Sequence, residues 1–213
     1  NTLYASSGFS GLGNETIEIT DELSVAEANT LDDLTTGSIV ATIGNTRVSN
    51  LLGSASLSDA NGNNAYTISI STEDAAVSAS DLNAINAITS IAVNLANVTS
   101  ITASDFTDLN TLNNSRGEFS NIEGITAITV SDNGGSGGDE SVDFGTLETI
   151  VDNYQTNFNS SAVFSLQSGD TIVIDSSSEL SAFLADVASG ALVITNQSIT
   201  CLLYTSDAAD EWI

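Results

Sequence analysis

The stretch AYTISISTEDAAVSASDLNAINAITSIAVNL, residues 65–95, decides the fold. Apolar and polar residues alternate at both of its ends, in YTISI (66–70) and IAVNL (91–95), and such alternation predicts short β-strands. Between them, SASDLNAINAI (78–88) carries apolar residues three positions apart, which predicts a short amphipathic helix with one buried stripe. A helix between two strands of one sheet predicts parallel strands joined by a right-handed crossover.

Both signals recur along the chain. Further strands are predicted at Thr16–Thr20, Ile39–Ile43, Thr126–Val130, Thr171–Asp175 and Ala191–Thr195. The helical phrase returns at 25–34, 102–112 and 176–187, with degenerate copies at 47–52 and 146–151. Strand-to-strand intervals of about 20 to 45 residues are typical of stacked repeats. We therefore predict an α/β fold, a repeat solenoid of short parallel strands alternating with short capped helices.

Two other architectures stay open at this point. Buried parallel strands usually form continuous apolar runs, whereas several of these strands alternate. A compact α/β domain or a β-sandwich would also accommodate them, although the capped helices count against the sandwich.

Each clear copy of the helical phrase begins with the same S/T-x-x-D/E signature. The pairs are Ser24/Glu27, Ser78/Asp81, Thr102/Asp105 and Ser176/Glu179. In such a capping box the hydroxyl accepts from a backbone N–H of the first turn, and the carboxylate favours the positive end of the helix dipole. We therefore predict a structural role for these four carboxylates rather than catalysis or metal binding.

Three phrases carry a resemblance to known proteins: FSGLGNETIEITD (9–21), LSVAEANTLDDLTTGSIVATI (23–43) and the stretch 65–95. They resemble recurring units of very large, acidic, Cys-free surface or secreted proteins of marine cyanobacteria and other bacteria. The resemblance spans about residues 8–130 and fades through 131–200. It implies a non-catalytic stalk, adhesin or surface-layer-like component, and it transfers no functional residue.

Composition excludes several classes of function. The 213 residues include 28 Asp and Glu against 2 Lys and Arg, a formal charge of −26, with no His, Pro or Met and one Cys. Catalytic units that need an imidazole, and most zinc sites, are excluded. Only Arg47 and Arg116 could meet nucleic-acid phosphates. No apolar run approaches 18 residues, so no membrane span is predicted. We expect a non-enzymatic protein in an extracellular or cell-surface, cation-rich setting, where salt screens the charge.

The C-terminal residues differ in origin from the rest. CLLYTSDAADE (201–211) resembles the in-frame translation of a sequencing-library adapter, so we expect 201–213 to be a non-native tail and 1–200 a Cys-free piece of a longer, metagenomic sequence. The predicted organisation is a strand–helix array over 1–131, a Gly-rich linker or loop at 132–141 and a degenerate continuation of the array over 142–200.

Two segments carry weak calcium-site signals. DNGGSGGDE (132–140) contains one copy of the G-G-x-G-x-D β-roll pattern, with Asp132 and Asp139, and one turn supplies at most half a cage. DANGNN (59–64) begins like an EF-hand loop at Asp59 but lacks the distal Glu. We predict a linker and a turn, respectively, with no catalytic, cofactor-binding or metal-binding residue.

The expected function follows from these observations. We predict a non-catalytic structural or adhesive repeat segment of a large extracellular bacterial surface protein, whose partners are neighbouring repeats of the same chain and extracellular polysaccharide. The alternative is a calcium-dependent ligand- or polysaccharide-binding module. A hydrolase that uses paired carboxylates, such as Asp32/Asp33 or Asp139/Glu140, is a third reading with less support.

Overall fold

The fold comes from a computed structural model, which describes residues 13–44, 46–60, 62–130, 141–167 and 169–202. In these ranges the chain forms thirteen short strands and six α-helices, with 3-10 helices at Arg116–Glu118 and Ile122–Gly124. The strands are β1 (Ile17–Glu18), β2 (Ile39–Thr42), β3 (Ala65–Thr67), β4 (Ala76–Ser78), β5 (Val93–Asn94), β6 (Ser100–Ala103), β7 (Phe119–Ser120), β8 (Ala127–Val130), β9 (Ser141–Asp143), β10 (Val163–Leu166), β11 (Thr171–Ile174), β12 (Leu192–Val193) and β13 (Ser198–Cys201). The helices are α1 (Val25–Asp32), α2 (Val48–Leu51), α3 (Ala79–Asn86), α4 (Phe106–Asn114), α5 (Phe144–Asn157) and α6 (Ser177–Ser189).

The chain divides into two compact units. Unit 1 comprises Asn1–Ile101 and Asn114–Ile125, and unit 2 comprises Thr102–Asn113 and Thr126–Ile213. The predicted linker at 132–141 lies outside the described residues except for Ser141, with which β9 begins.

In unit 1 the strands pair in parallel with strands that come one chain segment later. Ile17 of β1 pairs with Ile39 of β2, and β2 pairs in turn with β3. A second ladder pairs β5 with β7, where Val93 faces Phe119. Register partners in unit 1 therefore lie 22 to 26 residues apart.

Unit 2 contains two parallel three-strand ladders. One runs β8–β10–β12, with Ala127 paired to Val163, and the other runs β9–β11–β13, with Thr171 between Ser141 and Ser198. Each ladder gains one strand for every 27 to 36 residues. The helices α5 and α6 follow β9 and β11 along the chain.

The core of each unit follows from the alternation in its strands and the stripe on its helices. In unit 1, Tyr66, Leu82 and Ile85 are fully buried. In unit 2 the aromatic rings cluster. Tyr154 meets Phe164 edge-on at 5.7 Å, and Phe144 meets Phe183 edge-on at 5.5 Å between ring centroids. Edge-to-face contact is a favoured geometry for buried aromatic pairs.

The α/β class with parallel strands is confirmed, and the β-sandwich alternative is wrong because the ladders are parallel. All seven predicted strand segments contain strand residues. Six strands were not predicted: β4, β6, β7, β9, β10 and β13. The degenerate helical copies are also helices, α2 and α5, and α5 has 14 residues.

Three of the four predicted helix starts are confirmed. Ser24 forms a reciprocal capping box with Glu27, and the hydroxyls of Ser78 and Ser176 accept from the backbone N–H three residues on. The prediction for Thr102/Asp105 is wrong. Thr102 belongs to β6, and Asp105 itself accepts the N–H of Asp108 at 3.0 Å, just before α4 begins.

Candidate functional site

Three carboxylates converge at the junctions between strands and helices in unit 2. Asp143 ends β9 immediately before α5, Asp175 follows β11, and Glu179 lies in the first turn of α6. Because β9 and β11 are neighbours in one parallel ladder, both junctions emerge at the same edge. One oxygen from each carboxylate lies within 4.8 Å of the other two. We call these three residues the acidic triad.

The local hydrogen bonds explain why the triad residues stand where they do. Asp143 caps α5, since its Oδ2 accepts from the N–H of Thr146 at 2.9 Å and from the Thr146 hydroxyl at 2.8 Å. Glu179 Oε2 accepts from the backbone N–H of Asp175 at 2.9 Å. Two of the three carboxylates therefore order the start of a helix, as caps do.

A glycine makes the close approach of the two junctions feasible. A Cβ at Gly145 would lie 2.9 Å from Oε1 of Glu179 and 3.6 Å from Oδ2 of Asp143. A larger residue in the first turn of α5 would push Glu179 away from Asp143. The spacing of the triad therefore depends on Gly145.

Further acids line the contact between α5 and α6. Burial raises the pKa of Glu148, and the charges of Asp152, Asp186 and Glu179 raise it further. Burial also raises the pKa of Asp186, with an additional contribution from Asp152. Among the described residues, Oδ2 of Asp186 is buried without a hydrogen-bond partner. This helix contact therefore concentrates negative charge where it is incompletely solvated.

The triad offers only oxygen ligands, which are the ligands that hard cations such as Ca²⁺ prefer. Oxygens on opposite sides of a Ca²⁺ ion are about 4.6 to 5.2 Å apart, so the spacing of the triad suits one ion. An open groove of about 280 Å³ runs beside Asp143 and is lined by Gly145, Thr146, Thr149 and Asn110. Asp143 and Asp175 are solvent-exposed, so water competes for any ion held there.

The two segments whose sequence resembles a calcium site, 59–64 and 132–140, do not include the acidic triad. Oδ1 of Asp59 accepts the N–H groups of Asn63 and Asn64, both at 3.1 Å, and Gly62 has φ +67°, so the segment forms the predicted turn. Asp132 and Asp139 lie outside the described residues.

The adjacent pair Asp32/Asp33 does not form a carboxylate site. Asp32 is buried in a hydrogen-bond network while Asp33 is exposed, so the two side chains do not face one space. The pair Asp139/Glu140 lies outside the described residues.

Sequence reasoning missed the triad as a group. It assigned Glu179 a cap but placed neither Asp143 nor Asp175 at a site. The available signal was an acidic residue at the end of each of two strands that precede helices, SVD (141–143) and TIVID (171–175). Recognising it requires SVD to be identified as a strand, and three residues show too little alternation for that.

None of the helices in the described part of the chain is long and apolar enough to cross a membrane. Comparison of the chain with protein-family models, with curated proteins and with solved structures gives no match in any of the three. Function is therefore inferred from sequence and geometry.

Proposed function

We propose that this chain is a non-catalytic structural segment of a large extracellular bacterial surface protein, a repeat solenoid that serves as a spacer or adhesive stalk. One observation carries the proposal. In both units, strands from successive chain segments add to parallel ladders, and a helix follows many of these strands. Stacking of this kind determines the length of the molecule and gives it an extended surface rather than a single binding pocket.

The roles of the acidic residues support a structural reading. Glu27 and Asp143 accept backbone N–H groups at the starts of their helices. Asp32 accepts from Ser58 and Asn64 inside unit 1. Since these carboxylates already hold the fold together, catalysis is not needed to account for their placement.

The charge supports the proposed setting at a cell surface. A chain with 28 acidic and 2 basic residues repels itself and attracts counter-ions, and both effects suit a saline exterior. On this proposal its partners are neighbouring repeats and extracellular polysaccharide, and an acidic coat keeps a long array soluble.

The acidic triad favours a second candidate, a calcium-dependent binding module. In that case Ca²⁺ would bridge Asp143, Asp175 and Glu179 and join the starts of α5 and α6. Ca²⁺ would then stabilise unit 2 well beyond its effect as a counter-ion.

Thermal unfolding followed by circular dichroism separates the two candidates. The chain is melted in EDTA, in millimolar Ca²⁺ and in millimolar Mg²⁺ at matched ionic strength. A structural segment gains a similar, modest amount from both ions by screening. A calcium module gains much more from Ca²⁺, because Mg²⁺ demands near-ideal octahedral geometry and loses its waters reluctantly, whereas Ca²⁺ accepts a flexible arrangement of oxygens.

A matched pair of variants locates any ion effect. D143N/D175N/E179Q removes the triad's charge, and Asn at position 143 preserves a good helix cap. E18Q/D21N/D33N removes the same charge from exposed positions in unit 1. A calcium-specific rise that disappears only in the first variant would overturn the structural proposal in favour of the module. Equal responses of all three proteins to both ions support the proposal.

A further inference from the structure

The C-terminal end of unit 2 exposes large apolar side chains. Among the described residues six such side chains are exposed, and five of them lie after residue 183; the last of the five, Leu202, belongs to the expected non-native tail, so four of them lie in the preceding sequence. The five are Leu184 (58% exposed) and Val187 (39%) in α6, Val193 (39%) in β12, Ile199 (46%) in β13, and Leu202 (44%). A surface that concentrates exposed apolar residues in this way is typical of a binding interface.

Equivalent positions one segment earlier are buried. Val151 and Tyr154 lie eight and eleven positions after the N-cap of α5 and are fully buried. Leu184 and Val187 lie eight and eleven positions after the N-cap of α6 and are exposed. Val151 and Leu184 are both aliphatic, whereas Tyr154 corresponds to the smaller Val187, and only the two side chains of α5 are buried.

The strands show the same contrast. Ile199 pairs in register with Ile172, which pairs with Val142, and the latter two are completely buried. Both β12 and β13 are the last strands of their ladders in the described part of the chain. An edge strand without Pro, Lys or a bulge is a ready template for another strand.

Within unit 2, α5 contacts two other helices. The Tyr154 hydroxyl donates to the carbonyl of Leu109 in α4 at 3.0 Å, and Phe144 meets Phe183 of α6. The described contacts of α6 include α5, through Phe183, while Leu184 and Val187 of α6 stay exposed. By analogy with α5, the element expected to cover the exposed side chains of α6 is another helix.

We propose that the face formed by α6, β12 and β13 is a stacking interface for one further strand–helix segment, joined to the chain after β13. The segment would place a helix over Leu184 and Val187 and strands beside β12 and β13. A covalently joined segment is favoured over a second copy of this chain, because two molecules of charge −26 repel each other. The inference extends the proposed function by naming the partner of one end of the stack.

The backbone of β13 provides a sharp test. The N–H groups of Ser198 and Leu202 donate to Asp170 and Ile174, at 2.9 and 2.7 Å. N–H groups alternate in direction along a strand, so those of Ile199 and Cys201 point to the open edge. A docked strand must protect these two amides.

The experiment adds one strand–helix segment to the chain after β13. Cys201 pairs in register with Ile174, so a second copy of 175–202 can follow Cys201 in place of residues 202–213. The copy supplies one helix and two strands, equivalent to α6, β12 and β13. Amide exchange is read residue by residue by NMR, and the unfolding midpoint by circular dichroism. We expect exchange at Ile199 and Cys201 to slow by about tenfold or more, and the midpoint to rise by about 3 °C or more.

The control variant is L184N/V187N. Without the added segment it should unfold within about 1 °C of the parent, because both side chains are exposed. With the added segment it should lose both the amide protection and the rise in midpoint. An added segment that leaves exchange at Ile199 and Cys201 unchanged would overturn the inference, whatever the response to Ca²⁺.

Two other occupants are tested with the same reagents. If the 213-residue chain is a dimer by light scattering and L184N/V187N makes it monomeric, the interface belongs to a second copy and the inference is wrong. If removing residues 203–213 from the parent speeds exchange at Ile199 and Cys201, the tail is the occupant and the inference is equally wrong. A monomeric parent whose exchange is insensitive to the tail supports it.

Discussion

At the scale of single residues, Asn64 holds together the interior of unit 1. Its Oδ1 accepts the N–H of Ile39 at 2.8 Å, and its Nδ2 donates to Asp32 at 2.7 Å and to the Tyr66 hydroxyl at 3.0 Å. Asn64 is completely buried and Asp32 nearly so. Burial raises the pKa of Tyr66, and the charges of Asp32 and Asp59 add to the shift. The phenol is therefore a neutral member of this network.

Replacing Asn64 by Ala should destabilise the chain by about 2 to 4 kcal/mol. The change leaves the Ile39 N–H and one Asp32 oxygen buried without their partner, and unsatisfied buried groups are costly. The free energy of unfolding in urea measures the loss. Asn63→Ala is the matched control, since Asn63 is exposed and its backbone N–H contacts Asp59. Equal stability of the two variants would contradict this account.

Some of the hydrogen bonds made by single residues could be predicted from the sequence. The turn at Asp59 and the caps at Ser24, Ser78 and Ser176 were predictable because each depends on partners within five residues. The network of Asp32 was not, since Asn64 lies 32 residues away and nothing local marks either residue as buried.

At the scale of elements, the missed strands share a physical reason. β4 (AVS) and β6 (SITA) run directly into the helical phrases, so their few residues look like the start of the helix. The error at Thr102 has the same cause: the hydroxyl expected to cap α4 belongs to β6, and Asp105 replaces it. Strands of two to four residues give too little alternation to identify, whereas the apolar stripe of α3 could be predicted and α5 was predicted only as a degenerate copy at 146–151.

The α5–α6 contact makes the stability of unit 2 depend on pH. The pKa values of Glu148 and Asp186 are raised in the folded state, so the folded chain holds these protons more tightly than the unfolded chain. The destabilisation caused by the ionised Glu148 and Asp186 side chains is fully present above their folded pKa values, and it is relieved as pH falls through those values. We therefore expect stability to rise as pH falls from neutral through the folded pKa values of these two groups.

E148Q/D186N should remove this penalty. The variant is expected to be more stable than the parent at pH 7 and to gain less on acidification, as measured by urea midpoints across the range. E18Q/D21N, which removes two exposed charges from unit 1, controls for net charge. An equal pH response in both variants would assign the effect to overall charge instead of the helix contact.

Glu27 in unit 1 changes the stability of the chain with pH in the opposite direction. Hydrogen bonds from the backbone and hydroxyl of Ser24 lower its pKa. Its contribution is therefore present above the unfolded pKa and is lost as pH falls through the folded pKa. This loss sets in at more acidic pH than the gain at Glu148, whose pKa is shifted in the opposite direction from the same ordinary value.

At the scale of the whole molecule, net charge opposes compaction. With a formal charge of −26, the folded chain should gain stability as salt rises, because the Debye length falls from about 30 Å at 0.01 M to about 8 Å at 0.15 M. We expect the unfolding midpoint to rise by about 3 to 6 °C over this range of NaCl. KCl and choline chloride at the same ionic strength should give the same rise, and an effect specific to Na⁺ would contradict screening.

The overall class was predictable, whereas the division into units was not. Recurrent strand–helix phrases predict parallel pairing, because a helix that connects two neighbouring strands returns the chain to the same end of the sheet. Such crossover connections are right-handed. The boundary of unit 1, which includes Asn114–Ile125 while Thr102–Asn113 belongs to unit 2, depends on long-range packing. Local composition carries no trace of it.

The ladder spacing gives these units an unusual response to force. Paired strands lie about 4.8 Å apart, yet 27 residues of chain separate Thr171 from its partner Ser198. Pulled straight, such an interval spans about 90 Å. Tension that peels one strand from a ladder would therefore lengthen that single interval nearly twentyfold. Because the described residues contain no disulfide, no covalent cross-link among them would limit this extension.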